Sequence, residues 1–196
     1  MKRSLVVLVS LAAAACDAGP KVVVRAEIDG QPVPDLPVRL LPYDRQAILD
    51  SLATAREEPE PRIPQELLQR LSAVQAEEAR LRQSGDTALG RVRAERQALL
   101  VRIDTLRKAR AAWLEEIREP YEEAARERAG GSGEPADTTD ASGHAEIAAD
   151  AGRWWLVARY VLPETILEWE VPVNIRGDSA TVTLTRKNAT EEPLLP

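Results

Sequence analysis

Leu89, Val92, Arg96, Leu99, Ile103, Leu106, Arg110, Trp113 and Ile117 recur at alternating intervals of three and four residues, and no other feature constrains the fold of this chain as tightly. Such a seam predicts a long helix with one face to bury, and a lone helix has nothing to bury it against. The nearest apolar repeat of the same spacing lies upstream at Leu67, Leu71, Val74 and Leu81. Between the two repeats, Ser84-Gly85-Asp86 is a helix stop and restart. Folding the chain back there sets Leu81 opposite Leu89, Val74 opposite Arg96, Leu71 opposite Leu99 and Leu67 opposite Ile103. The spacing predicts an antiparallel helical hairpin.

The same register, continued outward, sets Asp44 across from Arg126, just before the Gly130-Gly131-Ser132-Gly133 break. Asp44 suits the N-cap of a helix carrying Ile48, Leu52 and Ala55. Pro59, Pro61 and Pro64 interrupt the outgoing arm, Pro64 fits the first turn of the helix that resumes, and Pro120 should kink the return arm. Two arms of roughly 40 residues would project on the order of 60 Å at 1.5 Å per residue.

The 196 residues are 44% hydrophobic and 30% charged, with a formal charge of −6, a balance that suits one domain of ordinary size and argues against a nucleic-acid partner. Phenylalanine is absent, so the core must rest on Val, Leu, Ile, Ala and a few indoles. One cysteine and one histidine leave neither an internal disulfide nor a thiolate or histidine-rich metal site.

The chain opens with a basic Met1-Lys2-Arg3, an apolar run from Leu5 to Leu11 and small residues from Ala12 to Ala15, the pattern of an export signal. The apolar run is shorter than the roughly 20 residues that span a bilayer. Ala13-Ala14-Ala15-Cys16 resembles the lipobox of bacterial lipoproteins, which implies cleavage before Cys16 and acylation of it. In enterobacterial lipoproteins an aspartate at the position of Asp17 signals retention at the inner membrane. The resemblance therefore implies a membrane-anchored protein of the bacterial cell envelope, at the inner or the outer membrane, with Asp17 leaning to the periplasmic face of the inner one.

Strand patterns flank the hairpin. Val22, Val24, Ala26 and Ile28 alternate up to an Asp29-Gly30 turn, and Val38 and Leu40 resume after Pro32, Pro34 and Pro37. About 100 residues later the alternation returns in Ala145, Ile147 and Ala149; in Trp154, Leu156, Ala158 and Tyr160; in Leu167, Trp169, Val171, Val173 and Ile175; and in Ala180, Val182 and Leu184. Six or seven strands, each with one polar face, predict an α+β protein built on an antiparallel sandwich.

Asp29-Gly30-Gln31-Pro32-Val33-Pro34-Asp35-Leu36-Pro37-Val38-Arg39-Leu40 resembles the opening of carboxypeptidase-regulatory-like domains, which are transthyretin-like (prealbumin-like) sandwiches of Ig-like type. Thr139-Asp140-Ala141-Ser142-Gly143-His144-Ala145-Glu146-Ile147 and Gly152-Arg153-Trp154-Trp155-Leu156-Val157-Ala158 resemble the second half of that domain. The implied organisation is a leader at 1–15, a lipidated linker at 16–20, a sandwich from 21–43 and 136–187, an inserted hairpin at 44–129, a flexible loop at 130–143 and an untethered tail at 188–196. Domains of this family are mostly accessory modules for binding or spacing, so the resemblance carries over no active site.

Between Arg80 and Arg110 the hairpin holds Arg80, Arg82, Arg91, Arg93, Arg96, Arg102, Arg107, Lys108 and Arg110 against Asp86, Glu95 and Asp104, whereas Glu115 to Glu127 is acidic. Arg80, Arg82, Arg91, Arg93 and Arg96 are candidates for contact with a partner or an anionic surface. The plainer reading is a solvated coiled coil in which Arg96 reaches Glu78 and Arg110 meets Glu60 to set register. Trp155 is the candidate for stacking on a saccharide, or lies under the root of the hairpin. Asp137, Asp140 and Asp150 lack the spacing of a calcium loop. No nucleophile elbow or phosphate-cradling glycine loop is present in the sequence. The expectation is a non-catalytic, cofactor-free envelope lipoprotein, with the membrane and an envelope protein as partners; the alternatives are a carbohydrate-binding accessory module and an accessory subunit of an envelope enzyme complex.

Overall fold

The computed structural model describes residues 19–84 and 87–194, and the protein is a mixed α+β structure. Strands β1 (Lys21–Ile28), β2 (Gln31–Pro32) and β3 (Pro37–Leu41) precede helices α1 (Arg45–Ala55), α2 (Gln65–Ser84), α3 (Leu89–Glu116) and α4 (Arg118–Ala129). Strands β4 (Ala136–Thr138), β5 (His144–Ala148), β6 (Gly152–Val161), β7 (Thr165–Ile175), β8 (Ser179–Leu184) and β9 (Thr190–Pro193) follow. All four helices thus lie between β3 and β4, which are neighbours in one sheet, with Pro37 opposite Thr138 and Arg39 opposite Ala136.

That sheet has the order β4-β3-β6-β7-β9 and is antiparallel throughout. In the other, β1 is central, with β5 antiparallel on one edge and β8 parallel on the other. Ala26 donates its N–H to the Gly143 carbonyl and accepts from the Val33 N–H, so β2 continues the β5 edge. The expectation of purely antiparallel pairing is therefore corrected at β1–β8. The chain crosses from one sheet to the other in three residues after Ile175 and enters beside Lys21, whose N–H bonds the Asp178 carbonyl at 3.1 Å; it can then only run alongside β1 in the same direction.

One core serves both sheets. It combines Val22, Val24, Ala26, Ala145, Ile147, Val182 and Leu184 with Val38, Leu40, Trp154, Leu156, Leu167, Trp169, Val173 and Ile175, all buried. These are the apolar parities of each strand, because a period of two places alternate side chains on one face. Trp169 joins them fully, its indole N–H bonding the Thr185 carbonyl at 2.9 Å.

Local side-chain chemistry sets the turns. Asp29 and Gly30 both adopt positive φ, as a two-residue hairpin between Ile28 and Gln31 requires. The Asp140 carboxylate accepts from the N–H groups of Ser142 (2.8 Å) and His144 (2.9 Å), and Gly143 turns with φ +76°, where a Cβ would collide with the Ala26 carbonyl. Thr139 is buried; its hydroxyl accepts from Leu36 N–H at 2.9 Å and donates to Val33 carbonyl at 2.7 Å, joining stretches more than 100 residues apart in sequence.

The described residues hold nine strands and not six or seven, because the short β2, β4 and β9 carry no apolar alternation of their own, and three further expectations change. The stretch at 130–143 is not a loose loop, since it contains β4 and the Thr139 lock. Residues 188–194 are not an untethered tail, because Glu191 and Glu192 pair with Leu167 and Ile166 and the Asn188 amide is bonded to the Thr183 carbonyl. The return arm breaks at Ile117 (φ −94°, ψ 3°), one turn before Pro120, whose ring would strike the Glu116 carbonyl in an unbroken helix.

Replacing Thr139 by Val keeps the volume and orphans a buried N–H and a buried carbonyl. The expected loss is about 2–4 kcal/mol, measured by chemical denaturation, while Thr139→Ser should retain most of the stability.

Candidate functional site

The arm is built from two apolar layers that contain hairpin residues alone. Leu67, Leu71 and Ile103 form one, with Ile63, Leu99 and Leu106 against them; Val74, Leu81 and Val92 form the next, with Leu89. The antiparallel register read from the sequence is the one observed.

Within the second layer, between Val74 and Leu81 along α2, lies a buried carboxylate, Glu78, with only 4% of the residue exposed. Arg82 donates to it at 2.7 Å, Arg93 at 3.2 Å, and Arg96 pairs with its other oxygen at 2.9 Å. Burial pushes the Glu78 carboxyl up, but the hydrogen bonds from Arg93 and Arg82 and the charge of Arg96 outweigh it and hold the group below the usual carboxylate range. Three guanidiniums on one carboxylate leave two positive charges uncompensated. Arg82, Arg93 and Arg96 are therefore brought together, by an acid that the seam places at an apolar position. Arg80 and Arg91 stay exposed and make no ion pair among the described residues.

The root of the arm is clasped by a second carboxylate. Glu60, whose side chain is 3% exposed, accepts from Arg110 at 2.8 Å, Arg62 at 2.7 Å and Gln46 at 3.2 Å. It joins the proline-interrupted linker to α1 and α3 at once. Arg62 also reaches Asp50 of α1 at 2.6 Å. Leu49, Trp113 and Ile117 bury together beneath this polar clasp. One turn further out, Arg107 donates to the Pro193 carbonyl at 2.6 Å and pairs with Glu192 at 3.5 Å, fixing α3 to edge strand β9. Beyond Arg107 the apolar layers of the described hairpin residues pack on one another over about 27 Å of α3, less than half the projection expected from the sequence, because α1, α4 and the root lie against the sheet.

Trp155 lies under that root. It packs with Leu41, Tyr43, Ile48, Tyr121 and Ala125, between the five-stranded sheet and helices α1 and α4, and carries the Arg153 guanidinium 4.7 Å from its ring centre. A sugar stacking there would have to displace Arg153. Beside it runs an open groove of about 720 Å³ lined by Arg39, Tyr43, Arg45, Tyr121, Glu134, Arg159 and Glu168. Within the groove Arg39 pairs with Glu134 and Arg159 with Glu168, and Arg45 reaches Glu170 beside it at 3.4 Å. Burial pushes the Tyr43 phenol well above its ordinary value, reinforced by its 2.9 Å bond to Glu134, so it stays protonated.

Cys16 and Asp17 lie outside the described residues. No described helix is long and apolar enough to cross a membrane, and no group of acidic, histidine or cysteine side chains suited to a metal occurs among the described residues. Sequence reasoning anticipated the Arg96–Glu78 and Arg110–Glu60 pairs. It missed Arg62, Gln46 and Arg107, which carry no periodic signal.

The Glu60 clasp should show in acid unfolding. Burial raises its carboxyl, yet the bonds from Arg110, Arg62 and Gln46 prevail and lower it. Its contribution is therefore complete above the ordinary glutamate value of about 4.3 and is lost as pH falls through the lowered value. Glu60→Gln should cost about 1–3 kcal/mol at neutral pH and remove that part of the acid dependence, followed by circular dichroism between pH 7 and 2.

No family model, curated protein or solved structure matches this chain.

Proposed function

We propose that this protein is a non-catalytic, lipid-anchored component of a bacterial cell envelope, in which an Ig-like, transthyretin-like sandwich acts as base and the coiled-coil arm engages a protein partner. The observation that carries this reading is the contrast along the hairpin: its root is clasped to the body through Glu60 and Arg107, whereas its outer layers pack only on themselves and present arginines to solvent. A helical pair held at one end and free at the other is a shape suited to reaching a partner, and it encloses no reaction. The export and lipobox pattern ending at Cys16 supports the envelope location, and Asp17 supports the inner membrane. The two sheets sharing one core, with the Asp29-Gly30 and Thr139–Gly143 turns, support the family reading.

Metabolic palmitate labelling should be lost on Cys16→Ser, and fractionation should place the wild-type protein with the inner membrane; labelling that persists excludes Cys16 as the acylated residue. For the arm, residues 73–97 can be replaced by a short Gly-Ser turn that retains the Leu71–Leu99 layer and the Glu60 and Arg107 clasps. Cross-linking in intact cells should then lose the adducts formed by the full protein. Adducts that survive this shortening but vanish with Trp155→Ala would favour the carbohydrate-binding alternative or a contact on the body.

A further inference from the structure

Gly19 and the outermost contact of α3 with the body lie toward opposite ends of the strands. Pro20 accepts from the Ala149 N–H at 3.0 Å and Lys21 bonds Asp178, so the chain enters at the end where the β5–β6 and β7–β8 connections meet. Ser132 and Gly133, which follow α4, line a hollow with Gly19 and Pro20 at this same end. The opposite pole holds the β6–β7 turn and the end of β9, where Thr165 pairs with Pro193 and Leu194 N–H bonds Glu164 at 2.7 Å. Strand β6 separates the poles by on the order of 30 Å.

Traced from root to tip, α3 climbs toward this far pole. Arg110 shares a hollow with Glu168, Thr190 and Glu192, and Arg107 binds Pro193 one turn later. The Arg93 position lies about 21 Å further along the helix. Cys16, by contrast, stands three residues before Gly19, a tether of at most about 11 Å. A bilayer that held a lipid on Cys16 would sit against the near pole, several screening lengths of about 8 Å from the arginines.

We infer that the arm points away from the membrane that anchors it and that Arg82, Arg93 and Arg96, gathered on Glu78, form a docking site for an acidic segment of another envelope protein. The side chains of Arg82 and Arg93 remain 63% and 52% exposed, so most of their N–H donors are unspent. The fork of each guanidinium matches a carboxylate, and Glu78 offsets part of the mutual repulsion that would otherwise scatter the three. The orientation rests on the lipid-anchor reading; the arginine site does not.

The orientation is tested with the full lipoprotein in phosphatidylglycerol vesicles carrying a rhodamine headgroup acceptor, with a donor dye at Ser132→Cys or Ala94→Cys. Transfer should be strong from position 132 and several-fold weaker from position 94; equal transfer overturns the orientation, and failure to associate with vesicles overturns the anchor itself. For the site, the probe is a fluorescein-labelled poly-glutamate peptide. The pair Arg82→Gln with Arg93→Gln should weaken its binding about tenfold, whereas Arg80→Gln with Arg91→Gln and Arg102→Gln should leave it within about twofold. Equal losses in the two variants overturn the assignment. Should the glutamine pair unfold the arm, Arg82→Lys with Arg93→Lys keeps Glu78 neutralised and should still weaken binding a few-fold; unchanged binding overturns the guanidinium site. Anionic vesicles that displace the peptide from the Cys16→Ser protein would assign the arginines to lipid instead.

Discussion

The outer face of the five-stranded sheet carries Leu41, Trp155 and Val157, and the burial of that face organises everything outside the shared core. Exposed, these side chains would forfeit about 25 cal/mol for each Å² left in water. Helices α1 and α4 supply the cover through Ile48, Tyr121 and Ala125. Because β3 and β4 are adjacent, the inserted segment leaves and re-enters the sheet at neighbouring strands and can be long at little entropic cost. Cover and arm are thus parts of one insertion, the inner helices paired with the sheet and the outer ones with each other.

Two buried carboxylates divide the labour along this insertion. Glu60 ties three segments at the root, and Glu78 holds the register further out. Ion pairs with so little exposed carboxylate gain less than their Coulomb attraction implies, because each charge has left water. Their value lies in geometry: a one-turn slip of α2 against α3 would strand Glu78 in an apolar layer without Arg96. The outer arginines are consequently held in place by the hairpin itself.

Much of the β structure was legible because its signals are local. The alternating parities of β1, β6, β7 and β8 identify the inward side chains, and Asp29-Gly30 and Asp140 to Gly143 carry their turn chemistry within four residues. The polar composition of 130–143 and 188–194 misled, since short polar strands gain their order from a neighbour's hydrogen bonds and not from their own apolar content. In the candidate site, Glu78, Arg96, Glu60 and Arg110 were legible from the seam. Arg62, Gln46 and Arg107 were not, because their partners are set by where the prolines and Ile117 redirect the chain.

By itself the sequence determined the antiparallel hairpin, its register and the inward face of each strand, since periodicity and turn residues act over distances the chain itself spans. It also carries, at residues 1–16, a linear string that resembles an export signal with a lipobox. Only the tertiary structure decided that β8 runs parallel to β1, that the last strand is docked, that Arg82, Arg93 and Arg96 converge on one carboxylate, and that α3 is pinned to the end of β9 through Arg107. Each of these depends on the meeting of segments far apart in sequence, which no local pattern encodes.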